Sequence, residues 1–239
     1  MTAHNTKTAY IPRLAPIGRS VARAASSAPR RPETARRILA AAERAFAEQG
    51  LAGARTDEIV RSAGVNKALL YYYFHSKDEL YGAVLESLFR QQQDAIAAAR
   101  REAKPGGHAS AHRAELIAYV NGAIDFAVAH PNFPRLIQRE MMSRGAHFRH
   151  LIRKYWLPGQ QRLEREIKAG IAAGEFRGVD PAHMVLSIIA MTAFYFSAAP
   201  VLQEIWSRDI LQPPAVEARR QAVLDFLEHG LFRGSARKR

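Results

Sequence analysis

Apolar residues recur at three- and four-residue spacings through almost the whole chain from Pro32 onward. No stretch alternates apolar and polar residues over several positions, which is the pattern of a half-buried strand. Segment 33–49 shows the helical pattern clearly, because its apolar residues fall on one face of a helix before Gly50: Ile38, Leu39, Ala42, Ala45 and Phe46. The sequence therefore predicts an all-α protein.

Capping residues and helix breakers divide the chain further. Thr56 precedes a short helix that ends near Gly64, and Asn66 can cap a second short helix to about Phe74. Ser76 and Glu79 form a capping box that starts a helix reaching about Ala103. The helices predicted beyond it cover 111–130, 132–143, 147–173, 181–199 and 215–232.

Two short helices joined by a small turn, at residues 56–74, predict a helix-turn-helix unit. The turn needs little bulk at Ala63 and a permissive backbone at Gly64. On the second helix, Leu70 and Phe74 should face the core. The residues predicted to point outward are Lys67, Ala68, Tyr71 and Tyr72.

The predicted outward face has the chemistry of a nucleic-acid contact. Tyrosine and lysine side chains donate hydrogen bonds to phosphates and reach base edges in the major groove. Arg55, Thr56 and Lys77 lie at neighbouring helix starts, where backbone N–H groups also favour phosphate oxygens. Segment 33–80 has seven basic and seven acidic residues, so affinity has to come from the placement of charges.

The run Ala63–Leu80, with Thr56 and Ile59 before it, closely resembles the N-terminal domain of the tetracycline-repressor (TetR) family. The resemblance covers 33–80 and implies base-edge contacts from Lys67, Leu69 and Tyr71. It implies phosphate contacts from Thr56, Tyr72 and Lys77. Asn66 stands where serine is usual in the family and caps equally well.

The resemblance also implies an architecture and a function. We expect a three-helix DNA-binding domain at 33–80, joined to a helical bundle at 81–232 for ligand binding and dimerisation. We expect a cytoplasmic homodimer without a cofactor, which represses transcription from a two-fold symmetric operator and is released by a small molecule. The candidate dimer surface combines helix 181–199 with the apolar residues of 215–232: Val223, Phe226, Leu227 and Leu231.

A candidate effector pocket follows from one helix face in the C-terminal half. Four residues repeat there at helical spacing: Met184, Ile188, Met191 and Tyr195. Phe126 and Trp156 could join them from neighbouring helices, because methionine and aromatic side chains form adaptable apolar cavities. Ordinary core packing is the alternative for each residue.

The two termini carry most of the positive charge. Residues 1–32 contain six basic residues and no acid, and residues 233–239 add four more basic residues, against a net charge of +13. We interpret 1–32 as a disordered basic arm and 233–239 as a basic tail, which leaves a sequence-tolerant architectural DNA binder as an alternative function. An organelle transit peptide is an alternative for the arm.

Other functional classes find less support in the sequence. Residues 184–202 are uncharged and nearly long enough for a membrane span, so a membrane-associated sensor stays an alternative to a doubly covered core helix. His147 and His150 share a helix face without the carboxylate partner of bundle metal sites, so we expect no metal. The absence of cysteine excludes cysteine nucleophiles, and no hydrolase, phosphate-loop or zinc-protease motif indicates an enzyme.

Overall fold

The computed structural model describes residues 31–103, 110–143 and 146–233, and within these ranges the regular elements are helices. The all-α prediction is confirmed. A π-helical turn, Ile152–Trp156, separates the seventh and eighth α-helices. The α-helices in chain order are α1 Arg31–Gly53, α2 Thr56–Ala63, α3 Lys67–Tyr73, α4 Lys77–Glu102, α5 Ala111–Ala129, α6 Phe133–Ser143, α7 Ala146–Leu151, α8 Leu157–Ala172, α9 Pro181–Ser197, α10 Ala199–Trp206 and α11 Pro213–Gly230.

The predicted helix over 147–173 is confirmed in its extent, and the π-helical turn near its start is a feature that the sequence did not predict. Helix α10 is also absent from the sequence-based prediction, which ended the preceding helix at 199. Pro200 is tolerated because it occupies the first turn of α10, where a backbone N–H has no helical partner. The sequence predicts that the first helix ends at Gly50. Helix α1 instead continues to Gly53, but it is kinked at Gly50, which has a φ of 71°.

Two clusters of buried side chains hold the helices together. The first cluster contains residues of the first seven helices, from α1 to α7. It includes Phe46, Leu70, Leu85 and Leu136. The second joins α5, α8, α9 and α11. Helix α4 runs past the predicted domain boundary at residue 80, and its residues from Val84 to Phe89 pack in the same cluster as the helix-turn-helix. The two predicted domains therefore share a continuous core at α4.

Close packing of α4 against α5 depends on Gly122. A Cβ atom at this position would lie 2.7 Å from the Cα atom of Ile96, which is a backbone clash. The absence of a side chain lets the two helices meet backbone to backbone, and this contact fixes α4 against the C-terminal bundle.

The dimer-surface prediction for α11 is wrong for three of its four residues. Val223 and Leu227, on the inner face of α11, and Leu231, directly after that helix, are buried in the second cluster because they pack against the protein's own core. Phe226 points outward and is 50 % exposed. Helical spacing showed which residues share a face but not what covers that face.

Several further predictions concern the rest of the chain. Residues 1–30 of the predicted arm and 234–239 of the tail lie outside the described residues. Within the described ranges, no single helix is long and apolar enough to cross a membrane. Helices α9 and α10 together have the length and composition of a membrane span, but the pair is bent by 71°. His147 and His150 contact different carboxylates, Asp78 at 3.1 Å and Glu86 at 2.7 Å.

Candidate nucleic-acid interface and effector residues

The turn between α2 and α3 is held by backbone geometry and by one arginine from α1. Gly64 adopts the left-handed conformation, with φ 63° and ψ 41°, and ends α2. Arg37 donates from Nη2 to the carbonyl oxygens of Ala63 at 2.5 Å and Gly64 at 3.0 Å. A Cβ atom on Gly64 would lie 2.6 Å from the same nitrogen. Gly64 is therefore needed for its conformation and for the close approach of Arg37.

Arg37 is a residue that the sequence analysis missed. Its contact with Ala63 joins positions 26 residues apart, so no local pattern marks it. The arginine caps the C-terminal end of α2, where unpaired carbonyl groups attract a cation.

Helix α3 has one face in the core and the other in solvent. Leu70 is fully buried, whereas Tyr71 is 39 % exposed and Tyr72 is 62 % exposed. Asn66 caps the helix by accepting a hydrogen bond from the backbone N–H of Leu69 at 2.8 Å. Phe74 and Tyr73 are half-buried behind the tyrosine face. The orientation predicted from the sequence is confirmed for Leu70, Tyr71 and Tyr72.

Lys67 opens α3 and pairs with Asp57 of α2, with 3.0 Å between Nζ and Oδ1. The hydrogen bond from Lys67 lowers the pKa of the Asp57 carboxyl, and the same bond raises the pKa of the Lys67 ammonium. Both groups therefore remain charged at neutral pH. Because both side chains are exposed, a base or a phosphate could replace the carboxylate as the partner of Lys67.

The predicted phosphate-contacting residues fall into two groups. Arg55 is exposed just before α2 and Thr56 is the first residue of that helix, so both lie where a helix start favours an anion. Lys77 instead donates from Nζ to the carbonyl oxygens of Ala52 and Ala54, at 3.2 and 3.1 Å. Lys77 thus ties the start of α4 to the end of α1, and this contact uses two of its three donors.

Two family models match this chain. The model "Bacterial regulatory proteins, tetR family" covers residues 38–84, which contain α2, α3 and the start of α4. The model "Tetracyclin repressor-like, C-terminal domain" covers residues 113–227. The chain belongs to the TetR family. As a member of this family it is a DNA-binding transcriptional regulator.

Individual relatives agree with this family membership. The chain is 31 % identical over 193 residues to the HTH-type transcriptional repressor NicS of Pseudomonas putida, covering 80 % of this chain and 85 % of NicS. It is 30 % identical over 172 residues to the regulator RutR of Escherichia coli, covering 70 % of this chain and 76 % of RutR.

A solved structure shares the fold. The structure of a transcriptional regulator from Saccharomonospora viridis in complex with choline superposes with a TM-score of 0.65. It covers 85 % of this chain and 100 % of that regulator at 19 % identity. A likeness at this identity shows the fold and no more.

Five of the six predicted effector residues of this TetR-family chain divide between the two core clusters, and the sixth lies in neither. Met184, Ile188, Met191 and Tyr195 share the face of α9 that packs in the second cluster. Phe126 lies in the first cluster, where its ring stacks on His130 at 4.4 Å between centroids. The sixth residue, Trp156, is half-buried in the π-helical turn. The structure therefore brings four of the six side chains together.

Tyr195 is anchored by polar contacts. Its hydroxyl donates to the carbonyl oxygen of Ile210 at 2.9 Å, and burial raises its pKa. The neighbouring backbone is held by Arg219 of α11, whose Nη2 donates to the carbonyl oxygen of Met191 at 2.7 Å. These contacts fix α9 to α11 and the loop before it, so this part of the bundle is well packed around the predicted pocket face.

Proposed function

We propose that the chain is a homodimeric repressor that binds a two-fold symmetric operator and releases it when a small molecule binds to the C-terminal bundle. The observation that carries the proposal is the two-sided α3, with Leu70 buried while Tyr71 and Tyr72 are exposed beside Lys67. Exposed large side chains that are grouped on one surface, as these two neighbouring rings are, indicate an interaction site. Their hydroxyl groups and the lysine match the donors that read DNA.

An exposed apolar face on α9 and α11 supports the homodimer. Leu186 and Phe194 on α9 are 61 % and 65 % exposed, and Phe226 on the adjacent α11 is 50 % exposed. Small exposed residues surround them: Ala190, Ala193, Ala218 and Ala222. A second copy of the same face would cover these side chains and form a four-helix contact.

Pairing two chains gives the geometry that operator recognition needs. One seven-residue helix offers few base contacts, so two recognition helices in successive major grooves are required for tight specific binding. Helix α4 connects each recognition helix to the bundle, so a ligand that shifts α4 changes the spacing of the two helices. The description of NicS as a repressor supports repression. The Saccharomonospora viridis regulator is described in complex with choline, so a small molecule can bind to a protein of this fold.

Selection of bound DNA from a pool of random duplexes tests this proposal. We expect the selected DNA to contain a two-fold symmetric site, and we expect the wild-type protein to protect this site in a footprinting experiment. The double variant Lys67→Ala/Tyr71→Ala should bind this site at least about 100-fold more weakly, because each base contact contributes on the order of 1–3 kcal/mol. The control Lys168→Ala removes one exposed charge from α8 and should bind normally. An unchanged footprint from the double variant would refute the assignment of α3.

A salt titration separates this function from that of an architectural DNA binder. A repressor should bind its selected site roughly a thousandfold more tightly than random DNA at physiological salt. Equal affinity for both duplexes at every salt concentration would support the architectural alternative. A cytoplasmic location follows from the proposal, since the protein has to reach chromosomal DNA in a bacterium.

A further inference from the structure

A surface cleft of about 460 Å³ lies against α7 and the π-helical turn. Its lining consists of four basic side chains: Arg149, His150, Arg153 and Lys154. These residues occupy successive turns on one side of the helix, and all four are exposed. The cleft is separate from α3 and from the four predicted effector residues on α9, whereas Trp156 belongs to the same π-helical turn.

The charges around the cleft do not balance. Glu86 of α4 pairs with two of the basic groups at once, His150 Nε2 and Lys154 Nζ, each at 2.7 Å from its Oε1 atom. Within the described part of the chain, neither Arg149 nor Arg153 has an acidic partner. One carboxylate therefore faces a group of cations, and the field inside the cleft favours an anion.

The backbone at the cleft is unusual and firmly anchored. π-helical turns are rare and occur frequently at functional sites. This one carries Arg153 and Lys154 on its outer side, while the ring of Tyr155 stacks on Phe89 of α4 with 5.5 Å between centroids. The stacked ring holds the back of the turn, so the two cations are presented from a fixed position.

The cleft is connected to the DNA-binding domain through α4. Glu86 lies nine residues after Lys77, the first residue of α4, and Asp78 contacts His147 of α7 at 3.1 Å. The helix start follows the recognition helix after a three-residue connection. An anion that attracts His150 and Lys154 competes with Glu86 for them, and so weakens one of the contacts that join α4 to α7 and the π-helical turn.

We propose that this cleft binds a small anion that carries a phosphate or carboxylate group, and that the bound anion draws His150 and Lys154 away from Glu86. The inference rests on the proposed function in one respect, because it takes the anion bound in this cleft, rather than a ligand on the predicted face of α9, as the small molecule that releases the operator. Arg149 and Arg153 hold the anion by charge-assisted hydrogen bonds, and guanidinium groups fit both oxyanions in a two-pronged geometry.

Calorimetric titration of the full-length protein without DNA tests the site. The probes are inorganic phosphate and succinate, each at constant ionic strength maintained with chloride. Arg149→Gln/Arg153→Gln should bind at least about tenfold more weakly than the wild type, because two charge-assisted contacts are lost. The matched control Arg165→Gln/Arg177→Gln removes two exposed charges elsewhere and should bind like the wild type. Binding of one probe alone identifies phosphate or carboxylate as the group recognised.

Three results would overturn the proposal. They are no heat from either probe with the wild type, equal binding by Arg149→Gln/Arg153→Gln, or an equal loss in the control, which would indicate a general charge effect. Glu86→Gln adds a test of the competition, since removing the carboxylate should tighten anion binding about threefold. Unchanged or weaker binding by Glu86→Gln contradicts the coupling to α4. Because no DNA is present, failure to find an operator does not affect these measurements.

Discussion

Helices α3 and α9 both expose large apolar side chains, but their surroundings differ. On α3, the exposed rings of Tyr71 and Tyr72 carry hydroxyl groups and follow Lys67. On α9, Leu186 and Phe194 are exposed among alanines in a helix without any charged residue. A ring surrounded by donors and a cation suits a polyanion, whereas a ring surrounded by methyl groups suits another protein surface. The neighbours of an exposed ring therefore indicate its partner better than the exposure itself.

The two helices also differ in what holds them in place. Helix α3 has seven residues, one fully buried side chain and an asparagine cap. Helix α9 has 17 residues and five buried side chains, four of which pack in the second core cluster. Isolated helices as short as α3 are not stable in water, so α3 depends strongly on each of its few contacts.

The largest expected effect comes from the single buried anchor of α3. Leu70→Ala should lower the free energy of unfolding by about 3 kcal/mol, because it leaves a cavity beneath a helix with no other fully buried side chain. Urea unfolding measures the change. Tyr72→Ala, on the opposite face, should change stability by less than about 0.5 kcal/mol. Similar losses from both variants would break the distinction between the two faces of α3.

A smaller effect is expected on the exposed face of α9. Phe194→Glu should weaken dimerisation by at least about 30-fold, because a charge would be buried at the centre of the proposed contact. Sedimentation velocity over a range of protein concentrations measures the shift from dimer to monomer. Met142→Glu is the control, since Met142 is 80 % exposed on α6. If Phe194→Glu remains dimeric and Met142→Glu becomes monomeric, the interface lies on α6 and not on α9.

The smallest effect concerns the caps of the two helices. Asn66 accepts from Leu69 N–H at 2.8 Å, and Asp180 accepts from His183 N–H at 2.9 Å. Asn66→Ala should cost about 1 kcal/mol, and Asn66→Ser should restore most of it. Hydrogen exchange should show local opening of α3 in Asn66→Ala, whereas Asp180→Ala should leave the centre of α9 protected by its packing. Equal opening of both helices would contradict the difference in their support.

Local patterns predicted the DNA-binding unit well because its signals lie within a few residues of each other. The Asn66 cap and the contact between Ser76 Oγ and the backbone N–H of Glu79, at 3.0 Å, each span three residues. The burial of Leu70 beneath an exposed Tyr71 follows from helical spacing. Lys77 shows the limit of such patterns, since its predicted phosphate role overlooked the carbonyl groups of α1 that lie more than 20 residues away.

The C-terminal half was predicted less well because its decisive contacts are long-range. The sequence predicts that Phe126 and Tyr195 line the same pocket, yet the two side chains pack in different clusters. The π-helical turn gives no periodic signal of its own, and the charges that line its cleft interact with Glu86, 64 and 68 residues earlier in the chain.

The sequence by itself determined the helical class, the caps and the two faces of the recognition helix, since these depend on backbone hydrogen bonds and side chains within one or two turns. Only the tertiary structure decided which apolar faces are covered, which cations hold carbonyl groups rather than face solvent, and where basic side chains meet in one cleft. The physical reason is that burial and electrostatic pairing depend on distances between helices, and those distances are set by close packing such as that of α4 against α5 at Gly122.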